Sequence, residues 1–234
     1  MSKHVRVEGA LAPGDAVTGP AVEHRFGRVL RARVGATFPV CDADGRVWEA
    51  RVTSLSPVTL EVVGPALVPD RNPRRALEVW VPLLKGGRTD DLVRQLTELG
   101  ATRIVPYAGR FSVVRLDAAR ARERHARFAA IAREAGNQCG RTALPEVVAP
   151  VDGLPTTGPG AFLWEGGGAP VGEVLSGGVE RILVGPEGGL HEDEALALVE
   201  LGWRAATLGA RILRAETAVV ALCTMALAAN GELG

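Results

Sequence analysis

A glycine-rich turn between an apolar run and an acidic stretch is the first feature of this sequence that could bind a ligand. It spans Leu183 to Leu190 and reads Leu-Val-Gly-Pro-Glu-Gly-Gly-Leu. Glycines let the backbone approach a ligand closely and leave its N–H groups unobstructed as donors. Taken alone, the segment is equally well explained as a tight turn that leads from a strand into a helix.

A second segment, Leu208 to Thr217, places a basic and an acidic residue at the start of an apolar helix. Glu216 suits a helix N-terminus, where the helix dipole is positive, but Arg214 does not. A residue placed against the local preference is a candidate for function. On its own, however, the pair is more simply explained as an ordinary surface pair.

Several other ligand-binding patterns are missing from the sequence. Neither G-x-x-x-x-G-K-[ST] nor G-x-G-x-x-G occurs. The acidic residues Glu192, Asp193 and Glu194 would repel a phosphate from the start of the helix that follows the glycine-rich turn. The 3 cysteines and 4 histidines are scattered without ligand spacing, so we expect reduced thiols and no metal.

Together, the two segments resemble motifs of the SPOUT superfamily of knotted methyltransferases, and in particular of the RsmE family, which forms N3-methyluridine in small-subunit ribosomal RNA. The LxGPEGG motif of that family corresponds to Leu183–Gly189, and its LG-x-x-ILR-x-ETA motif corresponds to Leu208–Ala218. Other signatures of the family are similar to segments spread along the chain, namely His24 with Arg28–Arg31 and Gly35, Thr97–Gly100, Arg110–Val113, and Gln138–Arg141 with Pro145.

The resemblance implies an α/β protein with two domains. A small PUA-like β-barrel that binds RNA would occupy residues 1–72. A SPOUT-type catalytic domain with a deep trefoil knot would occupy residues 73–234. Knots are rare in proteins, and residue periodicity alone would not predict one. The resemblance further implies a homodimer that uses S-adenosyl-L-methionine to methylate 16S ribosomal RNA of the small ribosomal subunit.

The resemblance also implies which residues form the site. Those implied for the cofactor come from the two motifs and from the residues around position 164, namely Leu163, Glu165, Gly185, Glu187, Gly188, Gly189, Leu208, Gly209, Ile212, Leu213 and Arg214. Arg214 would be catalytic by stabilising negative charge that develops on the uracil. Glu216 would orient Arg214 or relay a proton. Glu187 is also well explained as a structural part of its turn.

Arginines are the residues expected to contact RNA, because the guanidinium group suits bidentate phosphate contacts. The candidates are Arg28, Arg31 and Arg33 in the barrel and Arg110 and Arg141 in the catalytic domain. The net charge of the whole chain is zero, and residues 1–75 contain 11 basic against 8 acidic residues. The charge therefore indicates a weak, local RNA surface and no more.

Three positions depart from the family pattern. Gln95 stands where the family often has lysine, and Asn137 stands where it usually has an acidic residue. His191 replaces the Ser or Thr expected to cap the helix that follows the glycine-rich turn. These departures affect the details of the RNA site and leave the cofactor motifs intact.

The elements that must position these residues follow from the apolar pattern. Short strands are predicted at Val29–Leu30, Thr37–Val40, Val47–Val52 and Thr59–Val63. Beyond a linker at Val68–Arg75, strands alternate with helices, which predicts a mostly parallel sheet. The predicted strands there are Ala76–Leu84, Arg103–Pro106, Ala161–Trp164 and Arg181–Val184, and the predicted helices are Thr89–Gly100, Asp117–Gly136, Glu192–Leu201 and Ala215–Ala229. We expect a mobile loop over the glycine-rich stretch Gly158–Gly178 and a capping role for Asp117.

The composition, with 47% hydrophobic and 23% charged residues, is typical of a folded, soluble protein. The N-terminal residues do not resemble a targeting signal, and no apolar run reaches the roughly 18 residues of a membrane span, so a cytoplasmic location is expected. Two alternatives to the small-subunit enzyme remain open. One is a SPOUT methyltransferase for another RNA position or for transfer RNA, and the other is a non-catalytic RNA-binding ribosome-assembly factor.

Overall fold

The computed structural model describes residues 4–115 and 117–233. The chain forms two compact units. The first contains residues up to Asn72 together with Gly136–Ala143, and the second contains Pro73–Ala135 and the residues from Leu144 onward. The boundary that follows Asn72 lies within the Pro-rich and charged stretch that reads as a linker.

The first unit is built on a five-stranded sheet with the order β1-β3-β4-β5-β2. Its elements are β1 (Val5–Arg6), β2 (Ala16–Val17), α1 (Pro20–Val22), a π-helical segment (Glu23–Val29), β3 (Thr37–Cys41), β4 (Val47–Leu55) and β5 (Val58–Pro65). β1 runs parallel to β3, and the other pairs are antiparallel. Side chains alternate along β4, where Ala50 and Val52 are buried and Arg51 is exposed, so one face of the sheet covers an apolar core.

The predicted strand at Val29–Leu30 was wrong, because these residues end a helical turn. The backbone N–H of Leu30 donates to the carbonyl of Arg25 at 2.9 Å, five residues earlier, which is the spacing of a π-helix. Val22 and Phe26 lie four residues apart and are both 1% exposed, so they anchor the segment to the core. Val29 is 51% exposed, so its side chain is not part of the buried core.

The second unit is an α/β fold around a parallel sheet. Its strands are β6 (Glu78–Pro82), β7 (Arg103–Ala108), β8 (Glu146–Val147), β9 (Val151–Asp152), β10 (Gly160–Leu163), β11 (Ala169–Pro170), β12 (Arg181–Val184) and β13 (Trp203–Thr207). Its helices are α2 (Arg88–Leu99), α3 (Ala118–Cys139), α4 (Val171–Val174), α5 (Glu192–Glu200) and α6 (Ala215–Ala229). The strand order is β11-β13-β10-β12-β6-β7-β8, with β9 also paired to β7, and every pairing is parallel. The predicted parallel sheet is confirmed.

Apolar clusters cover both faces of this sheet. Leu92 and Leu96 of α2 and Leu222 of α6 join the larger cluster. Leu198 of α5 packs with Trp203 and other residues in a separate cluster. A parallel sheet needs such cover on both faces, and the helices also fix the positions of the strand ends.

Local signals in the sequence predicted several of these elements correctly. The bounds of β12 and α6 are those predicted. The long helix α3 is also confirmed, and the carboxylate of Asp117 caps it by accepting the backbone N–H of Arg120 at 2.8 Å. The mobile loop expected over Gly158–Gly178 was wrong in part, because that stretch contains β10, β11 and α4.

The last strand and the last helix lie on different parts of the sheet. β13 pairs with β10 on the side away from β12, whereas α6 packs on α2, β6 and β12. The chain between them, residues 208–214, therefore crosses the carboxyl ends of β10 and β12. No helix in the described part of the chain is long and apolar enough to cross a bilayer.

Candidate active site

A cavity of about 620 Å³ lies at the carboxyl ends of β10, β12 and β13. Its walls come from the residues that follow these strands, from the first turn of α6 and from Arg88 at the start of α2. In open α/β sheets, ligands bind beyond the carboxyl ends of the strands, where the loops diverge. The position and size of the cavity are those of a small-molecule site.

The glycine-rich turn after β12 is tightly folded. The N–H of Gly189 donates to the carbonyl of Pro186 at 2.9 Å, and Gly189 has a φ of +74°, which favours glycine. A Cβ on Gly185 would lie 3.1 Å from the carbonyl carbon of Gly189. Tyr107 supports the turn from β7, since its hydroxyl donates to the carbonyl of Val184 at 2.8 Å, and burial raises its pKa well above the ordinary value.

His191 caps helix α5 in place of the expected Ser or Thr. Its Nδ1 accepts the backbone N–H of Asp193 at 3.2 Å, and the carboxylate of Glu194 accepts the backbone N–H of His191 at 2.9 Å. These reciprocal bonds form a capping box. The departure from the family pattern at this position therefore preserves the cap, and the three acidic residues of the first turn leave no anion site there.

Arg88 links the two sequence motifs inside the cavity. Its Nη2 lies 2.6 Å from Oε1 of Glu187 in the glycine-rich turn, and its Nη1 lies 3.4 Å from Oε2 of Glu216 in α6. Its Nε donates to the carbonyl of Lys85 at 3.0 Å. The three side chains of this group are between 27% and 34% exposed, so the ion pairs are partly shielded from water.

Arg214 stands at the N-cap position of α6 with an extended backbone and an exposed side chain. Among the residues that the structure describes, its guanidinium has no hydrogen-bond or ion-pair partner, and the same holds for the guanidinium of Arg211. Glu216 contacts Arg88 instead of Arg214. The contact that would let Glu216 orient Arg214 is therefore not present in this arrangement.

The residues implied for the cofactor converge, although they lie far apart in sequence. The cavity wall includes all of them except Gly188, namely Leu163, Glu165, Gly185, Glu187, Gly189, Leu208, Gly209, Ile212, Leu213 and Arg214. Gly188 lines a smaller adjoining cavity of about 390 Å³ together with Trp164 and Glu165. A Cβ on Gly188 would lie only 2.8 Å from the Cβ of Phe111, so this position has no room for a side chain.

The arginines expected to contact RNA lie outside the cavity. Arg28, Arg31 and Arg33 are exposed on the first unit, in and after the π-helical segment. Arg110 is exposed on the second unit, where its Nη1 lies 3.3 Å from both Nδ1 of His191 and Oδ2 of Asp193. These four side chains are accessible to a large partner.

The expectation for Arg141 has to be corrected. It groups with the first unit and not with the catalytic domain, and its side chain is only 3% exposed. Its Nε donates to the carbonyl of Ala143 at 3.2 Å, and burial lowers its pKa. A guanidinium held inside the protein in this way is not available as a surface contact for phosphate, so Arg141 is not an RNA-binding residue of this kind.

Several cavity residues were not among the predicted site residues, including Arg88, Trp164 and Arg211. Arg88 carried a usable signal, because it opens a helix whose first turn otherwise contains Asp90 and Asp91. A cation is unfavourable there for the same reason as at Arg214. Trp164 carried no such signal. Within the described residues, no group of three or more His, Cys, Asp or Glu side chains is placed to hold a metal ion.

Comparisons with known proteins decide the family. The profile of the RNA methyltransferase domain matches residues 70–227. Ribosomal RNA small subunit methyltransferase E of Bacillus subtilis is 31% identical over 231 residues, which cover 88% of this chain and 87% of that protein. The chain belongs to the ribosomal RNA small subunit methyltransferase E family. This membership confirms the resemblance to the RsmE family that the two motifs indicate.

Further members of the family agree with this result. The protein of the same name from Synechocystis is 29% identical over 83% of this chain and 67% of its own length. A crystal structure of ribosomal RNA small subunit methyltransferase E from Neisseria gonorrhoeae, bound to S-adenosyl methionine, has a TM-score of 0.83 and 28% identity. It covers 96% of this chain and 97% of the gonococcal chain, so the fold is shared along nearly the whole length.

Proposed function

We propose that this protein is an S-adenosylmethionine-dependent methyltransferase that forms N3-methyluridine in 16S ribosomal RNA of the small ribosomal subunit. One observation carries the proposal in a chain of this family: both sequence motifs line a single cavity at the carboxyl ends of the parallel strands. A relative of the same family has been solved with S-adenosyl methionine bound. Because its proposed substrate is the small ribosomal subunit, we expect the enzyme to act in the cytoplasm.

The volume of the cavity and the chemistry of its lining suit the cofactor. Its volume of about 620 Å³ lies within the range of small-molecule sites. Apolar side chains such as Val184, Leu208 and Leu213 suit the adenine ring, and the glycines of the turn offer backbone N–H and carbonyl groups to its polar atoms. The carboxylate of Glu165 suits a ligand that carries positive charge. No phosphate-binding loop is needed, because the ligand has no phosphate.

The residues that we propose for cofactor binding are those that line the main and the adjoining cavity, namely Leu163, Glu165, Gly185, Glu187, Gly188, Gly189, Leu208, Gly209, Ile212, Leu213 and Arg214. When bound, the cofactor would supply a methyl group on a sulfonium sulfur; a nucleophile can attack that methyl carbon in line while the neutral thioether leaves, and no metal is needed. The protein then has to align the acceptor nitrogen and keep competing water out.

Arg214 is the proposed electrophilic residue. N3 of uridine carries a proton at neutral pH, so negative charge develops on the uracil oxygens as that proton leaves. A guanidinium without a carboxylate partner is available to stabilise this charge, and Arg214 has none among the described residues. For Glu216, we retain the role of a proton relay, because its carboxylate faces the cavity but contacts Arg88 and not Arg214.

We further propose that residues 1–72 form a PUA-like β-barrel that binds RNA through Arg28, Arg31 and Arg33. Arg110 would be a contact on the catalytic domain, which comprises residues 73–234 apart from Gly136–Ala143. The five-stranded sheet around a separate apolar core supports the barrel. Exposed arginines close together in sequence suit phosphate contacts. Measuring RNA affinity for Arg31→Ala at several salt concentrations tests this surface, since a lost phosphate contact reduces the salt slope by about one.

A trefoil knot and a homodimer complete the proposal. The crossing of residues 208–214 over β10 and β12 supports a knot, because that segment must pass the loops that follow those strands. Ile212 in this segment is 84% exposed, and Met225 of α6 is 37% exposed. Ile212 lines the cavity, and exposed apolar side chains such as these support an interface with a second copy. Sedimentation equilibrium of the protein and of Ile212→Asp tests the dimer.

The decisive experiment is methyl transfer from labelled S-adenosylmethionine to small ribosomal subunits that lack the modification. Free ribosomal RNA and transfer RNA serve as alternative substrates, and mass spectrometry identifies the modified nucleoside. We expect N3-methyluridine on the small subunit. Label on transfer RNA, or a different methylated base, would still support a methyltransferase but would contradict the proposed substrate. Binding of the cofactor without any transfer would favour the assembly-factor alternative.

A further inference from the structure

The charged residues of the cavity fall into two groups, those with an ion-pair partner and those without one. Arg88 engages both Glu187 and Glu216, at 2.6 and 3.4 Å. Within the described parts of the chain, Arg211 and Arg214 have no acidic partner, although both line the same cavity. One arginine thus engages two of the carboxylates that line the cavity.

We propose that Arg88 is a positioning residue of the methyltransferase site. It holds Glu187 and Glu216 together across the cavity and thereby keeps Arg214 free of a carboxylate partner, so that the Arg214 guanidinium remains available to the substrate. This inference rests on the proposed function, because it assigns to Arg88 a share in the same reaction. It adds a residue that neither sequence motif contains.

The position of Arg88 in the fold suits this role. It is the first residue of α2, and α2 is anchored in the core by Leu92, Val93 and Leu96, none of which is exposed. The carbonyl of Lys85 accepts from Nε of Arg88 at 3.0 Å, which leaves both terminal nitrogens for the two carboxylates. The planar guanidinium fork can hold two carboxylates at fixed angles, which a lysine ammonium cannot do.

Both partners of Arg88 belong to segments that form the cofactor site. Glu187 lies in the turn from Gly185 to Gly189, and Glu216 lies in the first turn of α6, two residues after Arg214. The guanidinium therefore links the turn after β12 to the start of α6. If it were absent, Glu187 and Glu216 would both be left without their cationic partner in the cavity that Arg214 lines, and an unpaired carboxylate there can compete with the substrate for the cation.

The inference is tested with Arg88→Ala and Arg88→Lys in single-turnover methyl transfer, alongside the cofactor dissociation constant. We expect Arg88→Ala to lower kcat by about tenfold to a hundredfold, within the range of coupling between contacting residues, while the protein stays folded. Arg88→Lys should recover part of that loss, since it restores one charge. Arg94→Ala is the matched control: Arg94 lies on the same helix, with Asp91 and Glu98 at 3.4 and 3.5 Å, and it should retain the wild-type rate.

A double-mutant cycle separates positioning from general damage to the fold. If Arg88 acts through Glu216, adding Glu216→Gln to Arg88→Ala should change kcat much less than Glu216→Gln does alone. Full additivity, or a wild-type kcat in both Arg88 variants, would overturn the inference. If the wild-type protein itself transfers no methyl group, the proposed function fails instead, and the two failures are thus distinguishable.

Discussion

The two ends of the parallel sheet carry the same kinds of charged side chain but pair them differently. At the amino ends, Arg181, Glu78, Arg103 and Glu146 are the first residues of β12, β6, β7 and β8, and their charges alternate across four adjacent strands. The separations of neighbouring charged atoms are 3.6, 2.8 and 2.5 Å. At the carboxyl ends, Arg88 is paired twice, whereas Arg211 and Arg214 have no ion-pair partner in the described chain.

The paired charged side chains at the amino ends stabilise the fold, whereas the unpaired ones at the carboxyl ends are available to a ligand. In-register first residues of parallel strands necessarily lie side by side, so alternating signs there remove repulsion between neighbouring strands. At the other end, the strands continue into loops, and unpaired cations can persist because they remain exposed to water. An unpaired charge beside a cavity is therefore more informative about function than a paired one at the opposite edge.

The largest effect is expected when the unpaired cation at the cavity is removed. Arg214→Ala should lower kcat by about 10² to 10³-fold, the typical loss for one group that stabilises developing charge, and weaken cofactor binding far less, because Arg214 is only one of the residues proposed to hold the cofactor. Single-turnover methyl transfer and calorimetric titration of the cofactor measure the two quantities. Arg204→Ala is the matched control, since Arg204 is also exposed but lies near the amino end of β13. An unchanged rate for Arg214→Ala would remove it from the mechanism.

A smaller effect is expected for the second unpaired cation. We expect the unpaired guanidinium of Arg211 to contact one phosphate of the RNA, so Arg211→Ala should raise the KM for the RNA substrate by about tenfold and reduce the salt slope of binding by about one. Its kcat should stay at the wild-type value. Titrating the KM against salt concentration measures both changes. A fall in kcat with an unchanged KM would instead place Arg211 in the chemical step.

The smallest effect is expected at the amino ends of the strands. Glu78→Gln should reduce the free energy of unfolding by about 1 kcal/mol, since its carboxylate is near two arginines and the indole N–H of Trp80 but remains partly exposed. Methyl transfer should not change. Denaturant unfolding measures the loss, and Glu146→Gln, with a side chain 62% exposed, should lose less. If Glu78→Gln impaired methyl transfer without reducing stability, the charges at the amino ends would have a role in catalysis, which contradicts the distinction drawn between the two ends of the sheet.

The parts of the fold that the sequence predicts well are those with strong local signals. Helix α6 and strand β12 were predicted at their observed bounds because each is a continuous apolar segment next to a recognisable turn. β13 was missed because Trp-Arg-Ala-Ala-Thr is poor in β-branched residues. It is a strand because it pairs with β10 and because Trp203 is buried, and both conditions are tertiary.

The residues of the candidate site were predictable only where they lie close together in the sequence. The two motifs lie on contiguous stretches, so their residues could be assigned to one site by resemblance to the family. Arg88 is 99 residues from Glu187 and 128 residues from Glu216. No local pattern reports contacts at such separations, because they depend on how the strands are ordered in the sheet. The buried state of Arg141 was unpredictable for the same reason.

The crossing of residues 208–214 over the ends of β10 and β12 also determines when the site can exist during synthesis. Ribosomes release a chain from its N-terminus, so Arg88 and the turn at Gly185 emerge well before the segment that closes the cavity and the helix that carries Glu216. A nascent chain that stops before β13 has the sheet centre but lacks the wall on which Leu208, Leu213 and Arg214 lie. Prematurely terminated copies should therefore be inert, and they should not sequester cofactor from finished molecules.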